Sequence, residues 1–164
     1  MDAAFIKRAV ENDKPIPSAA LTIHKQLFME GTLLDNKQHQ LKLSEFSGYP
    51  HQRWDLIYKG TRDGFDAKDF HRQCDGRSPT MTVLQSKQDG YLFGGYTAVA
   101  WSSTEGIKND QNAFLFTLTS PHNQPITKLP LMSKDNPRAV YHAKDYGPIS
   151  GMLRSTIAYP PKSS

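Results

Sequence analysis

Apolar and polar residues alternate most regularly within residues 54–101, and this pattern predicts a series of short strands. Residues 54–58 read WDLIY, and a strand there places Trp54, Leu56 and Tyr58 on one side. An alternation with period two is typical of a strand that buries one face and exposes the other. We therefore expect this strand to contribute a large aromatic surface to the core of a sheet.

Two further strands are predicted at residues 80–86 and 91–101, on either side of a Gln-Asp-Gly turn. A short glycine-containing connection joins antiparallel neighbours, so these strands form a hairpin. Gly94 and Gly95 lie inside the second strand, where glycines mark either a bulge or the close approach of another backbone. We expect a β-bulge at this glycine pair.

Two short helices are predicted on either side of the first strand. Residues 33–46 place apolar side chains at helical spacing, and Asp35 is the expected N-cap. Residues 66–74 predict a second helix, with Asp66 as its N-cap. The connection between the first strand and this helix, residues 59–64, contains two glycines and is predicted to be a loop.

The rest of the chain is predicted to form short strands separated by turns. Residues 113–119 are apolar throughout and indicate a buried central strand, whereas the polar residues 102–112 indicate a loop. Further short strands are predicted at residues 126–131, 139–142 and 152–159. Sequential hairpins require antiparallel pairing. The expected fold class is therefore α+β (mainly β), with a two-sheet antiparallel β-sandwich bordered by short helices.

The length of 164 residues predicts one domain. We expect it to span residues 18–159, preceded by a loosely structured segment at residues 1–17 and followed by a tail at residues 160–164. Within the first segment, the apolar residues around Phe5 favour one or two helical turns, which the prolines after them would end.

Composition and charge narrow the class of function. Hydrophobic residues make up 37% and aromatic residues 10% of the chain, which is typical of a globular protein. The net charge is +4, but lysine and arginine alternate with acidic residues, so we expect no nucleic-acid partner. The chain has no run of about 20 apolar residues, so no membrane insertion is expected. The single cysteine and the absence of a secretory signal predict a cytoplasmic protein.

Cys74 and His71 are the residues that most resemble a nucleophile and its base. They lie three residues apart on the predicted helix, a spacing at which side chains can touch. Cys74 also shares a helix face with Phe70, and free cysteine is among the most buried residue types, which favours a core position. A weak redox scavenger that uses Cys74 is therefore kept as an alternative function.

The candidate binding residues are Arg62 and Asp63, in the glycine-containing loop, and Glu105, in the loop at residues 102–112. Polar loops on a rigid scaffold are frequent binding sites. A second alternative is a sandwich whose loops bind a small ligand or Ca²⁺. The six histidines are scattered and only one cysteine is present, so we expect neither a metal site nor a cofactor.

The ordered motifs of this region resemble the TLDc domain, which occurs in oxidation-resistance proteins and in several BTB- and TBC-domain proteins. The motifs read W-x-L-x-Y, D-G, F-H-x-x-C-D, F-G-G-Y-T, W and F-L-F, and they occupy residues 54–58, 63–64, 70–75, 93–97, 101 and 114–116. The resemblance extends over residues 18–151. It implies a two-sheet β-sandwich bordered by helices, in agreement with the fold expected from the pattern alone.

The candidate residues and the resemblance together favour a non-enzymatic module that acts through protein contacts, while an enzymatic activity stays an open alternative. The family is linked to protection against oxidative stress, and some members bind the vacuolar proton-pumping ATPase and regulate its assembly. After residue 148 the sequence departs from the family pattern, which predicts a shortened or divergent C-terminus. A sheet without its last strands exposes an edge, so a homodimer through an open sheet edge is a further hypothesis.

Overall fold

The computed structural model describes residues 2–8, 27–28, 33–50, 52–121, 124–130, 138–147 and 149–150. The helices in these ranges are α1 (Lys37–Ser47), α2 (Gly60–Asp63) and α3 (Ala67–Cys74). The strands are β1 (Asp2–Arg8), β2 (Trp54–Lys59), β3 (Thr80–Gln85), β4 (Leu92–Thr97), β5 (Gly106–Asn109), β6 (Phe114–Thr117), β7 (Thr127–Pro130), β8 (Arg138–His142) and β9 (Ile149–Ser150). They form two antiparallel sheets, one with the order β2-β1-β3-β4-β6-β7 and one with the order β5-β8-β9. This arrangement confirms the predicted mainly-β α+β class.

The larger sheet buries apolar side chains on both of its faces. The first, which we call the helix-covered face, packs against α1, and its buried cluster includes Phe28, Leu34, Leu43, Trp54, Met81, Val83, Tyr96, Phe114 and Phe116. The rings of Phe28 and Trp54 are stacked with their centroids 6.1 Å apart, and both side chains are fully buried. Removal of this apolar surface from water is the main contribution of this face to stability.

The opposite face, which we call the inter-sheet face, packs against α3 and the smaller sheet. Its buried cluster contains Tyr58, Leu84, Phe70, Cys74, Trp101, Ala113 and Val140. Val140 belongs to β8 in the smaller sheet, so the two sheets share this core. The structure thus contains the two-sheet sandwich with bordering helices that the sequence predicted.

Strand β2 contains a bulge that the alternation of its residues did not reveal. Consecutive residues of β1 lie opposite Leu56 and Tyr58, so Ile57 is an extra residue in β2. Trp54 and Leu56 consequently pack on the helix-covered face, whereas Ile57 and Tyr58 pack on the inter-sheet face. The prediction that Trp54, Leu56 and Tyr58 share one side was therefore wrong for Tyr58.

The bulge predicted at Gly94 and Gly95 does not occur in the described hairpin. β3 and β4 pair residue by residue, with Val83 opposite Gly94 and Thr82 opposite Gly95. A Cβ atom on Gly94 would overlap the carbonyl oxygen of Thr82 and the ring of Phe116. Gly94 is therefore explained by the close approach of its neighbours, the other meaning of a glycine within a strand.

Two strands of at least four residues lie where the sequence predicted none, as does the two-residue strand β9. β1 pairs with both β2 and β3, although helical turns were expected around Phe5. β5 lies within the predicted loop at residues 102–112 and pairs with β8. Strands β1 and β5 are stabilised by backbone hydrogen bonds to segments far away in sequence. A pattern within a few residues cannot reveal such partners, so neither strand could be predicted from it.

The helix termini agree only in part with the predicted caps. Asn36, not Asp35, caps α1, because its side chain accepts a hydrogen bond of 2.8 Å from the backbone N–H of Gln38. Asp66 occupies the predicted N-cap of α3 but makes no side-chain capping hydrogen bond. The loop prediction was wrong for Gly60–Asp63, which form the single turn of α2.

Several expectations lie outside the described residues. They are the strand at residues 152–159, the tail at residues 160–164 and the divergent C-terminus. The domain boundaries at residues 18 and 159 stay predictions.

Candidate functional site

Cys74 lies in the inter-sheet core and is fully buried. Burial raises the pKa of its thiol, and the negative charges of Asp75 and Asp63 raise the pKa further. The thiolate is the reactive form of cysteine, so an enclosed thiol with a raised pKa is a poor nucleophile. The surroundings of Cys74 favour a core position over a redox role.

Both ring nitrogens of His71 face oxygen acceptors rather than the thiol of Cys74. Nδ1 lies 2.7 Å from Asp75 Oδ1. Nε2 lies 3.0 Å from the carbonyl oxygen of Ala143 and 3.1 Å from that of Tyr146. The ring of His71 therefore connects α3 to the turn that follows β8.

Five polar residues, which we call the polar cluster, meet at this junction: His71, Asp75, Ser102, Ser103 and His142. The Ser103 hydroxyl donates to Asp75 Oδ2 at 2.6 Å, and Ser102 Oγ lies 3.1 Å from His142 Nδ1. Burial acts to raise the pKa of Asp75, but the hydrogen bonds from Ser103 and His71 outweigh burial and lower the pKa. Sequence reasoning missed this cluster because its members lie in three separate segments with no common motif.

His142 is the most enclosed member of the polar cluster, with only 2% of its surface exposed. Its ring lies 5.2 Å from that of Trp101, and its Nε2 is buried without a hydrogen-bond partner among the described residues. Burial has the largest effect on His142 and lowers its pKa. The nearby groups Lys108 and His71 also lower this pKa, whereas the charge of Asp75 raises it. The neutral ring is thus favoured near neutral pH.

Arg62 and Asp63 bind each other. Arg62 Nε donates to Asp63 Oδ1 at 2.8 Å and Arg62 Nη2 donates to Oδ2 at 2.7 Å, while Oδ2 also accepts the backbone N–H of Lys59 at 2.8 Å. The hydrogen bonds from Arg62 lower the pKa of Asp63 although burial acts to raise it. Asp63 therefore joins α2 to the end of β2, and Arg62, half exposed, remains accessible at the surface.

Glu105 lies elsewhere, beside the smaller sheet, and accepts a hydrogen bond of 2.8 Å from the hydroxyl of Tyr141. This bond raises the pKa of Tyr141, with smaller contributions from burial and from the charges of Glu105 and Tyr146. Ile107 is opposite Tyr141 in the β5–β8 register and is 53% exposed. We call Glu105, Ile107, Tyr141 and the exposed Tyr146 the β5–β8 patch.

A groove of 470 Å³ lies between the end of α1 and strands β4, β6 and β7, and its lining includes the rings of Tyr49, Tyr96 and Phe114. Lys128 Nζ lies 4.3 Å from the centre of the Phe114 ring and donates to the carbonyl oxygen of Phe46 at 2.6 Å. The ammonium group of Lys128 therefore already has partners within the chain. The groove contains none of the binding residues predicted from the sequence.

Metal ligands are not assembled in the described part of the chain, where no three His, Cys, Asp or Glu side chains are grouped so that they could hold an ion. Among the same residues, no helix combines the length and apolar character needed to cross a bilayer. The described residues nevertheless bring ionisable side chains together in the polar cluster. They also expose side chains that could contact another molecule at the β5–β8 patch.

These features define a class of protein, an α+β sandwich module with short bordering helices and an exposed aromatic patch. The chain belongs to the TLDc domain family, because the family model for the TLDc domain matches residues 28–157. The mouse (Mus musculus) MTOR-associated protein MEAK7 is 28% identical over 67 residues, which cover 41% of this chain and 14% of that relative. No solved structure matches the chain.

Proposed function

We propose that this TLDc module acts through contacts with a protein partner rather than through catalysis. The β5–β8 patch is the observation that supports the proposal. It combines the exposed apolar side chain of Ile107, two tyrosines and the carboxylate of Glu105. Tyrosine is enriched at protein interfaces, where its ring is buried while its hydroxyl keeps a polar partner.

The candidates for chemistry lend little support to an enzyme. Cys74 is enclosed with a raised pKa, and His71 faces Asp75 and two backbone carbonyls. A redox scavenger requires an accessible thiolate, which these surroundings disfavour. The Ca²⁺-binding alternative gains no support from the described side chains, among which no set of acidic ligands is grouped.

The partner that we propose is the vacuolar proton-pumping ATPase, which the TLDc resemblance implies together with a role in protection against oxidative stress. The name of the mouse relative describes an association with MTOR, which makes MTOR a second protein to test. The proposal keeps the cytoplasmic location predicted from the sequence, because a single cysteine fits a reducing compartment. Glu105 would pair with a basic group of the partner, and Arg62 with an acidic one.

Titration of the purified chain against the purified vacuolar ATPase tests this proposal, with binding followed by biolayer interferometry and ATP hydrolysis measured in parallel. We expect Glu105→Lys and Ile107→Glu each to weaken binding by about tenfold or more, which corresponds to about 1.4 kcal/mol. Arg62→Glu tests the second surface in the same way.

Asp89→Lys is the matched control, because it makes the same acid-to-base change as Glu105→Lys at another exposed residue, in the turn between β3 and β4. The proposal fails if the unchanged chain does not bind, or if the control weakens binding as much as Glu105→Lys does. Binding to MTOR alone would replace the ATPase as the partner.

Self-association through a sheet edge is part of the same proposal. β7 lies at one edge of the larger sheet as described, and Leu129 in this strand is 45% exposed. An unpaired edge strand can pair with a second copy of the chain. Light scattering of the free chain at high concentration should then give the mass of a dimer, and a monomeric mass would remove the homodimer from the proposal.

A further inference from the structure

The polar cluster joins the smaller sheet to the rest of the molecule, together with Asp110, which follows β5 and accepts hydrogen bonds from the Thr97 hydroxyl and the Ala98 N–H. Val140 is the smaller sheet's one residue in the buried apolar clusters of the described chain. By contrast, several polar contacts cross this junction. His71 joins α3 to the turn after β8, and Asp75 with Ser103 joins the end of α3 to the segment before β5. Ser102 and His142 then join that segment to β8. This attachment therefore relies on hydrogen bonds of polar side chains as well as on apolar burial.

His142 is the member whose charged form fits the site poorly. Two described elements place charged or titratable groups near it: β5 contributes Lys108, and α3 with its C-cap contributes His71 and Asp75. Ser102 faces its Nδ1, and Trp101 lies beside its ring. The described residues offer no acceptor to Nε2, so a proton on both nitrogens would leave a buried N–H group unpaired next to a lysine.

We propose that the polar cluster is an acid-sensitive latch, in which protonation of His142 releases β8 and the turn after it from α3. His71 Nε2 faces the carbonyl oxygens of Ala143 and Tyr146 across this junction, and Ala143 directly follows His142, so displacement of the His142 ring also shifts a carbonyl that His71 faces. Opening exposes His142 to water, where its charge is hydrated. The latch goes beyond the proposed function and does not require a partner.

The direction of the pH dependence follows from the lowered pKa of His142. The open form, in which the ring has its ordinary pKa of 6.5, binds a proton more tightly than the closed form does. The closed form is therefore fully favoured above pH 6.5 and loses its advantage as the pH falls below that value. One proton gives at most about a tenfold rise in the opening constant per pH unit.

Hydrogen exchange at single amides tests the latch in the full chain. Exchange is measured between pH 7.5 and 5.5 and corrected for the intrinsic pH dependence of amide exchange. We expect the protection of the Tyr146 amide, which donates to the carbonyl oxygen of Ala143 in the turn after β8, to fall by about three- to tenfold over this range. The amides of Val83 and Leu84 in β3 serve as the internal reference and should keep their protection.

His142→Gln removes the titrating group, and we expect it to abolish the pH dependence of protection in the turn after β8. His39→Gln is the matched control, because burial also lowers the pKa of His39, which lies in α1 on the far side of the larger sheet. This variant should retain the pH dependence. A decline in protection that persists in His142→Gln, or that disappears in His39→Gln, would overturn the latch.

A titration of the unchanged chain gives a second, independent test in case His142→Gln does not fold. NMR signals of the imidazole carbons report the pKa of each histidine directly. A midpoint for His142 below 6.5 supports the latch, and a midpoint at or above 6.5 overturns it. Neither measurement involves the ATPase, so failure of the latch and failure of the proposed partner remain distinguishable.

Discussion

The two faces of the larger sheet are buried by different means. On the helix-covered face, the buried cluster is built from large apolar and aromatic side chains. On the inter-sheet face, the apolar cluster borders buried polar groups, including His71, Thr80 and His142. Apolar burial does not depend on protonation, whereas hydrogen bonds between titratable groups do. The comparison indicates that the apolar cluster of the first face stabilises the fold independently of protonation, whereas part of the stability of the second face depends on protonation.

The two tryptophans show this difference at the level of single side chains. Trp54, on the helix-covered face, stacks on Phe28, and its indole nitrogen has no hydrogen-bond partner among the described residues. Trp101, on the inter-sheet face, donates from Nε1 to the hydroxyl of Thr80 at 2.9 Å. The first ring is held by packing alone, and the second by packing and a directed hydrogen bond.

The largest expected effect is that of Trp54→Ala. The substitution leaves a large cavity beside Phe28 and should lower the free energy of unfolding by about 3–5 kcal/mol. Urea unfolding at pH 7.5 and pH 5.5 measures the loss. We expect the same loss at both pH values, because no titratable group belongs to this cluster as described apart from Tyr96. A loss that differs by more than about 1 kcal/mol between them would break the comparison.

A smaller effect is expected for Thr80→Val, which keeps the shape of the side chain and removes the hydrogen-bond acceptor of Trp101. A buried indole N–H without a partner should cost about 1–3 kcal/mol in the free energy of unfolding. Thr82→Val is the control, since Thr82 is buried in the same strand and the described residues provide no hydrogen-bond partner for its hydroxyl. Equal losses in the two variants would show that the bond to Trp101 contributes nothing.

The smallest effects concern the helices that cover the two faces. Asn36→Ala removes the side-chain cap of α1 and should cost about 1 kcal/mol in thermal or urea unfolding. Asp66→Ala at the start of α3 should cost less than Asn36→Ala does, because the Asp66 side chain makes no capping hydrogen bond. If Asp66→Ala lowered the free energy of unfolding more than Asn36→Ala did, α3 rather than α1 would depend on its cap residue.

The elements predicted correctly are those whose signals lie within a few residues of each other. The hairpin of β3 and β4 follows from two apolar segments around a glycine turn, and β6 follows from an uninterrupted apolar segment. Helix α3 follows from its N-cap and from the spacing of Phe70 and Cys74 on its buried face. In each case propensity, turn chemistry and packing favour the same structure.

The predictions that were wrong depended on partners far away in the chain. The bulge in β2 is defined by its register with β1, and the close fit at Gly94 is defined by Thr82 and Phe116. Neither feature leaves a distinctive mark in the residues that form it. The glycine pair indicated that something unusual occurs in β4, but glycine permits several backbone arrangements and does not choose among them.

The sequence by itself determined the class of fold, the family and most of the local elements. The spacing of apolar residues, the turn residues and the order of the motifs can all be read directly from the sequence. Only the tertiary structure decided the chemistry of the candidate residues. It enclosed Cys74, paired Arg62 with Asp63, and brought His71, Asp75 and His142 together from separate segments. Burial and electrostatic environment arise from the packing of distant segments, and they set the pKa and accessibility on which function depends.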